Sequence, residues 1–134
     1  MSLFKSGQFK LHSGGTSDFK TDCDALTEED WRTVAEVARR RFRFGDVIDI
    51  PDGGSKLAAI LSTFREEDHP LILIVDDVLT TGASFEKIVE DMNDKDFIRD
   101  RPIQGFVVFA RGPCPDWVWP LFVMNGPVRK ISYE

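Results

Sequence analysis

The chain has 134 residues, 42% of them apolar, which is enough for one compact core in a water-soluble protein. Its formal charge of -6 excludes a general nucleic-acid coat, because binding along phosphate backbones draws on a surplus of Lys and Arg. No apolar run approaches the ~20 residues of a membrane span, the opening MSLFKSGQFK lacks a signal-peptide core, and Cys23 and Cys114 show no CxxC spacing, so a cytoplasmic protein without a membrane partner is expected.

No repeat or low-complexity linker interrupts the chain, so residues 1–134 read as a single domain. Residues 9–22, FKLHSGGTSDFKTD, alternate loosely about a Ser-Gly-Gly-Thr centre and predict a short hairpin or flap. Thr27 starts a helix, with Glu28, Glu29 and Asp30 favouring its positive end and Trp31, Val34, Ala35, Ala38 and Phe42 at helical spacing. Residues 39–43 carry four arginines where cations suit the helix's negative end, and they read as a solvated terminus. A short strand VIDI, residues 47–50, follows. After PDGGS comes a second helix, on which Leu57, Ile60, Leu61 and Phe64 repeat the apolar stripe.

LILIV, residues 71–75, has the continuous apolar character of a strand covered on both faces. A third helix carries Phe85, Ile88, Val89 and Met92, and GFVVFA, residues 105–110, is the next strand. Weaker strand candidates lie at residues 121–124 and 128–132. In the tail, Trp117, Trp119 and Phe122 stand among prolines that forbid a regular helix; aromatics this dense read as core or as a subunit contact. Strand, helix, strand, helix, strand predicts an α/β fold: a small parallel, Rossmann-like sheet flanked by helices. Ligands of such a sheet bind at the carboxyl ends of its strands.

That rule gives meaning to residues 71–84, LILIVDDVLTTGAS, where a buried strand runs into two acids and then a turn of small polar residues. Thr80, Thr81, Gly82, Ala83 and Ser84 offer backbone amides, hydroxyls and a glycine at a helix N-terminus, which suits one phosphate group. Asp76 and Asp77 cannot bind phosphate directly. They can accept hydrogen bonds from vicinal sugar hydroxyls or help to hold hydrated magnesium. Together the two halves describe a site for a sugar phosphate.

The motif IVDDVLTTGAS, residues 74–84, resembles the phosphoribosyl pyrophosphate signature of the type I phosphoribosyltransferases. The resemblance implies that Asp76 and Asp77 face the ribose hydroxyls, as catalytic and magnesium-binding residues, and that Thr80 to Ser84 hold the 5'-phosphate. IPDGGSKLA, residues 50–58, is similar to the pyrophosphate loop of the same fold, which implies a diphosphate contact for Asp52, Gly53, Gly54 and Ser55. Residues 9–22 are similar to the opening of orotate phosphoribosyltransferases, part of the hood over the base, with His12 where many of those enzymes carry a lysine. Residues 1–26 are accordingly expected to form a hood, and Lys20 and Arg111 are the cations best placed to serve the site. The implied partners are phosphoribosyl pyrophosphate and a nitrogenous base, the implied cofactor is Mg2+, and the implied assembly is a homodimer.

The resemblance departs at one point. Orotate phosphoribosyltransferases carry a mobile Lys-rich loop between the pyrophosphate loop and the ribose signature, and here only residues 62–70, STFREEDHP, fill that interval. Arg65 and His69 stand there among three acids and read as a solvated connection. A module that binds phosphoribosyl pyrophosphate or a nucleotide without chemistry is therefore the alternative to a transferase. A response-regulator receiver, which also opens on ILIVDD, is excluded because the acidic pair falls past mid-chain and residues 105–110 end without an acid.

Overall fold

The computed structural model describes residues 4–10, 16–21, 23–51, 53–93 and 100–124. Two strands open the chain, β1 (Phe4–Lys10) and β2 (Thr16–Thr21), paired antiparallel as their own two-stranded sheet with a register irregularity between Ser6 and Phe9. The hairpin expected from residues 9–22 is thus present, and it begins earlier than its alternation suggested. His12 and the run 128–132 lie outside the described residues.

Helix α1 (Glu28–Arg41) starts on a reciprocal cap. The Thr27 hydroxyl accepts from the Asp30 amide at 3.1 Å, and the Asp30 carboxylate accepts from the Thr27 amide at 2.9 Å. Its buried stripe is Trp31, Val34, Ala35 and Ala38, as the spacing predicts, whereas Phe42 is the extended C-cap residue, partly buried against the same cluster. The arginines at its end are solvated and held locally: Arg39 and Arg40 pair with Glu36, and Arg43 reaches Glu66 at 2.7 Å.

Four parallel strands form the main sheet in the order β3 (Asp46–Asp49), β4 (Ile72–Leu79), β5 (Ile103–Ala110), β6 (Val118–Val123). Helix α2 (Ser55–Leu61) connects β3 to β4, and α3 (Ala83–Asn93) follows β4. Side-chain alternation along β4 assigns the helices to faces. Leu73 and Val75 join the cluster containing α1 and α2 with Phe106 and Val108, whereas Ile72 and Ile74 join Phe85 and Met92 of α3 with Val107. Two apolar layers so enclose β4, and this is why its sequence reads as an unbroken apolar run.

Further boundaries differ from expectation, among them that of α2, which ends at Leu61 and leaves Phe64 in a single 3-10 turn. The β4 strand does not stop at Val75 but continues through Asp76, Asp77 and Val78 to Leu79, because β5 pairs with it along that length. Trp119 and Phe122 belong to a fourth strand of the main sheet, and Trp117 ends the connection before it. Pro120 lacks an amide donor, and β6 tolerates it by lying at the sheet edge with β5 as its partner. Trp119 stacks on Phe106 with centroids 5.7 Å apart and meets the edge of Phe42 at 5.9 Å, while Trp117 packs edge-on against Phe85 at 5.6 Å. Both tryptophans are partly buried and pack against the core. Phe122 is half exposed, stacked on Phe109 at 5.5 Å.

Residues 111–117 connect β5 to β6 without a helix, short for a parallel connection, which ordinarily takes about a dozen residues or more. This brevity presses the segment against the turn after β4. Among the described residues no helix is long and apolar enough to cross a membrane.

Candidate functional site

The carboxyl ends of β3 and β4 and the first turns of α2 and α3 lie on one edge of the sheet, where a parallel α/β arrangement opens its crevice. On β4 the acidic pair stands inside the strand. Asp76 is only 8% exposed and is the sole buried polar or charged residue among those described. Its Oδ1 accepts a 2.8 Å hydrogen bond from the Asp77 amide. Burial, then the neighbouring charge of Asp77 and a weaker contribution from Asp49, push the Asp76 carboxyl up to about 8. Asp77 is partly exposed.

Gly53 explains how the loop after β3 meets this pair. A Cβ at Gly53 would fall 2.2 Å from the Asp77 Oδ1 and 2.8 Å from the Asp76 Oδ1, so only a bare backbone fits against both carboxylates. Gly53 and the acidic pair, 23 and 24 positions apart in sequence, are therefore direct neighbours. Gly54 and Ser55 lie at the start of α2, with the Gly54 carbonyl accepting from Ala58 at 2.9 Å. Asp52 lies outside the described residues.

The turn after β4 is built as its composition predicts. Gly82 sits at φ +84°, a left-handed conformation that favours glycine, and its carbonyl accepts from Glu86 to open α3. The Thr81 hydroxyl accepts from the Ala83 amide at 3.2 Å. Ala83 and Ser84 are helical residues of the first turn and not part of the turn proper, so the expected five-residue loop is a three-residue turn plus a helix N-terminus. The geometry leaves that end of α3 positively polarised.

Arg111 stands one residue beyond β5, its amide donating to the Leu79 carbonyl at 2.8 Å, which places its backbone beside the start of that turn. The next residue, Gly112, backs the turn so closely that a Cβ there would lie 2.0 Å from the Thr80 carbonyl oxygen. Lys20 is placed through its backbone opposite Lys5 in the hairpin; its side chain lies outside what is described. Residues 62–70 do not reach the site. Arg65 and Arg101 both pair with Asp46, the first residue of β3, and the His69 Nδ1 accepts from the Leu71 amide, so that link runs at the opposite, amino ends of the strands.

Two contributors were not picked out from sequence. Asp49 ends β3 with its Oδ2 accepting a 2.8 Å hydrogen bond from the Ser55 hydroxyl, and Gly112 supports Thr80. An acid closing an otherwise apolar VID strand was the available signal for the first; nothing local marks the second. Among the described residues no three or more His, Cys, Asp or Glu side chains are gathered closely enough to hold a metal ion by themselves.

No family model matches the sequence, and no curated protein does. Solved structures do. An orotate phosphoribosyltransferase from Aeropyrum pernix superposes with a TM-score of 0.68 at 21% identity, covering 90% of this chain and 88% of that one. The orotate phosphoribosyltransferase of Mycobacterium tuberculosis H37Rv, solved in complex with Fe(III) dicitrate, gives 0.66 at 14% identity over 90% and 89% of the two chains. That of Francisella tularensis gives 0.56 at 15% identity over 90% and 80%. Identities this low speak for the fold alone: the chain has the fold of type I phosphoribosyltransferases, the fold its signature motif resembles.

Proposed function

We propose that the protein binds phosphoribosyl pyrophosphate together with magnesium and transfers its phosphoribosyl group to a nitrogenous base, releasing pyrophosphate. The observation that carries this reading is the contact of Gly53 with the Asp76 and Asp77 carboxylates beside the α3 N-terminus, which gathers a diol acceptor, a bare loop and a phosphate cradle at one sheet edge. Asp76 and Asp77 accept hydrogen bonds from the ribose hydroxyls and orient the sugar. The amides of residues 80–84 and the Thr80, Thr81 and Ser84 hydroxyls hold the 5'-phosphate. Residues 53–55 receive the diphosphate, and Arg111 and Lys20 are the cations assigned to it or to the base.

In the reaction the bond from the anomeric carbon to the pyrophosphate oxygen breaks with its electron pair leaving on pyrophosphate. A carbon–nitrogen bond to the base forms, and the base gives up its N–H proton. The adjacent pair Asp76 and Asp77 suits magnesium, which keeps water ligands and takes substrate phosphates alongside one or two carboxylates. Asp76 and Asp77 would hold it, and when bound it supplies charge neutralisation for the departing diphosphate. A homodimer in the cytoplasm is part of the same reading and is checked by sedimentation equilibrium of the purified protein.

The position of residues 62–70 at the far end of the sheet favours a second reading, a module that binds phosphoribosyl pyrophosphate or a nucleotide for regulation and performs no chemistry. Calorimetric titration of phosphoribosyl pyrophosphate with and without magnesium tests the shared premise. Metal-dependent binding is expected, weakened tenfold or more, about 1.4 kcal/mol, in the Asp76→Asn, Asp77→Asn double variant. Unchanged affinity in the folded double variant removes the ribose assignment. A screen of bases for pyrophosphate release then separates the transferase from the regulatory module.

A further inference from the structure

The main sheet brings a third carboxylate to the edge where the diphosphate loop lies. Asp49, the last residue of β3, is registered against Val75, one residue before the acidic pair, and its charge is among those acting on Asp76. Its Oδ2 is tied to the Ser55 hydroxyl at 2.8 Å. Helix α2 has no acid in its first turn and Gly54 provides no side-chain cap, so Asp49, reaching across from β3, is the carboxylate fastened to that helix start. The loop packs directly on it: a Cβ at Gly54 would lie 3.2 Å from the Asp49 Cβ and 2.4 Å from the Val75 carbonyl oxygen.

A diphosphate held by residues 53–55 would lie near the Asp77 side chain, which a Cβ at Gly53 would meet, and near Asp49, whose carboxylate is tied to Ser55. Like charges a few ångströms apart at a partly exposed site repel strongly enough to change affinity by about tenfold or more. The turn at residues 80–84 contains no acid, so a lone 5'-phosphate escapes most of that repulsion.

We propose that Asp49 is a specificity-determining residue of this site: it favours a ligand bearing a single 5'-phosphate on ribose over one bearing a free diphosphate, and admits the diphosphate only when a divalent cation masks its charge. The inference rests on the sugar-phosphate reading above and names the ligand form which that site prefers. Specificity here comes from a repulsive element and not from an added contact.

The test is calorimetric titration of the full chain with ribose 5-phosphate and with phosphoribosyl pyrophosphate, each in EDTA and in magnesium chloride, for the wild type, Asp49→Asn and Asp49→Ser. Asparagine keeps an acceptor for the Ser55 hydroxyl and removes only the charge. In EDTA, both variants are expected to bind phosphoribosyl pyrophosphate about tenfold more tightly than the wild type, with ribose 5-phosphate changed less than about twofold; magnesium narrows the difference. If the Asp49 variants do not fold, wild-type titrations in EDTA at about 20 and 200 mM sodium chloride report independently: screening is expected to tighten phosphoribosyl pyrophosphate more than ribose 5-phosphate, and an equal change in both overturns the role of Asp49. Equal effects on both ligands, or an unchanged metal-free affinity for phosphoribosyl pyrophosphate, overturn the role of Asp49 while leaving the sugar-phosphate site intact. Failure of both ligands to bind under every condition overturns the site itself, and Asp49's role with it.

Discussion

Asp76 stands where two demands on one side chain conflict. Its carboxyl is buried against a second carboxylate, so the folded state resists ionising it, while the unfolded chain ionises it freely. Below the unfolded value near 3.8 both states are protonated and the group costs nothing. As pH rises from there only the unfolded state releases its proton, so stability falls until the folded value of about 8 is passed and then levels off. Asp76→Asn keeps an oxygen acceptor for the Asp77 amide and cannot titrate. It is expected to raise stability at pH 8 by upward of about 1 kcal/mol, with the gain vanishing near pH 4, as read by thermal denaturation across that range. A variant that is stabler and binds less is the mark of a residue kept for ligand and not for fold. A pH-independent change in melting temperature would remove this account.

At the scale of elements, the helices begin in different ways and the difference follows what each terminus is for. The cap of α1 is complete, with Thr27 and Asp30 satisfying each other's amides, and no ligand is asked of it. Thr27→Ala leaves the Asp30 amide without its side-chain acceptor and should cost about 1 kcal/mol, lowering the melting temperature by about 4 °C while leaving ligand affinity unaltered. The starts of α2 and α3 lie at the carboxyl edge of the sheet. There Gly54 offers no side-chain cap and donates its own amide to the Ile50 carbonyl, and Gly82 leads into α3 from a left-handed backbone. The connection at residues 111–117 shows the same economy: having no helix of its own, it lies against Thr80 and Gly82 and stiffens the turn between them.

For the molecule as a whole, a charge of -6 sets the field that any anionic ligand must cross. Local amides at two helix starts and a bridging cation have to overcome it. With magnesium withheld, affinity for phosphoribosyl pyrophosphate is therefore expected to improve about threefold as sodium chloride rises from about 20 to 200 mM, the opposite of what a basic phosphate-binding surface shows, because the screening length falls to about 10 Å or less. Titrations at the two salt levels check the sign. Weaker binding at higher salt would mean that cations at the site outweigh the acidic surface.

Residue order alone was enough to place the strand-helix alternation, the Thr27 start, the acidic pair and a turn after it, because each rests on a local cause: apolar period, capping chemistry, two adjacent acids, or a run of small polar residues with a glycine. The low identity to the matched folds did not hide the motif, since its residues answer to backbone geometry over a short span. What residue order could not decide depends on partners far along the chain. The β4 strand extends through Asp77 to Leu79 because β5 pairs with it there, and β6 holds Pro120 because it is an edge. Gly53 meets Asp77, and Asp49 joins Ser55 beside them, only once β3 and β4 lie side by side. Tertiary packing alone turned three separate acids into one charged edge, since charge acts through distance in space and the chain records only distance along itself.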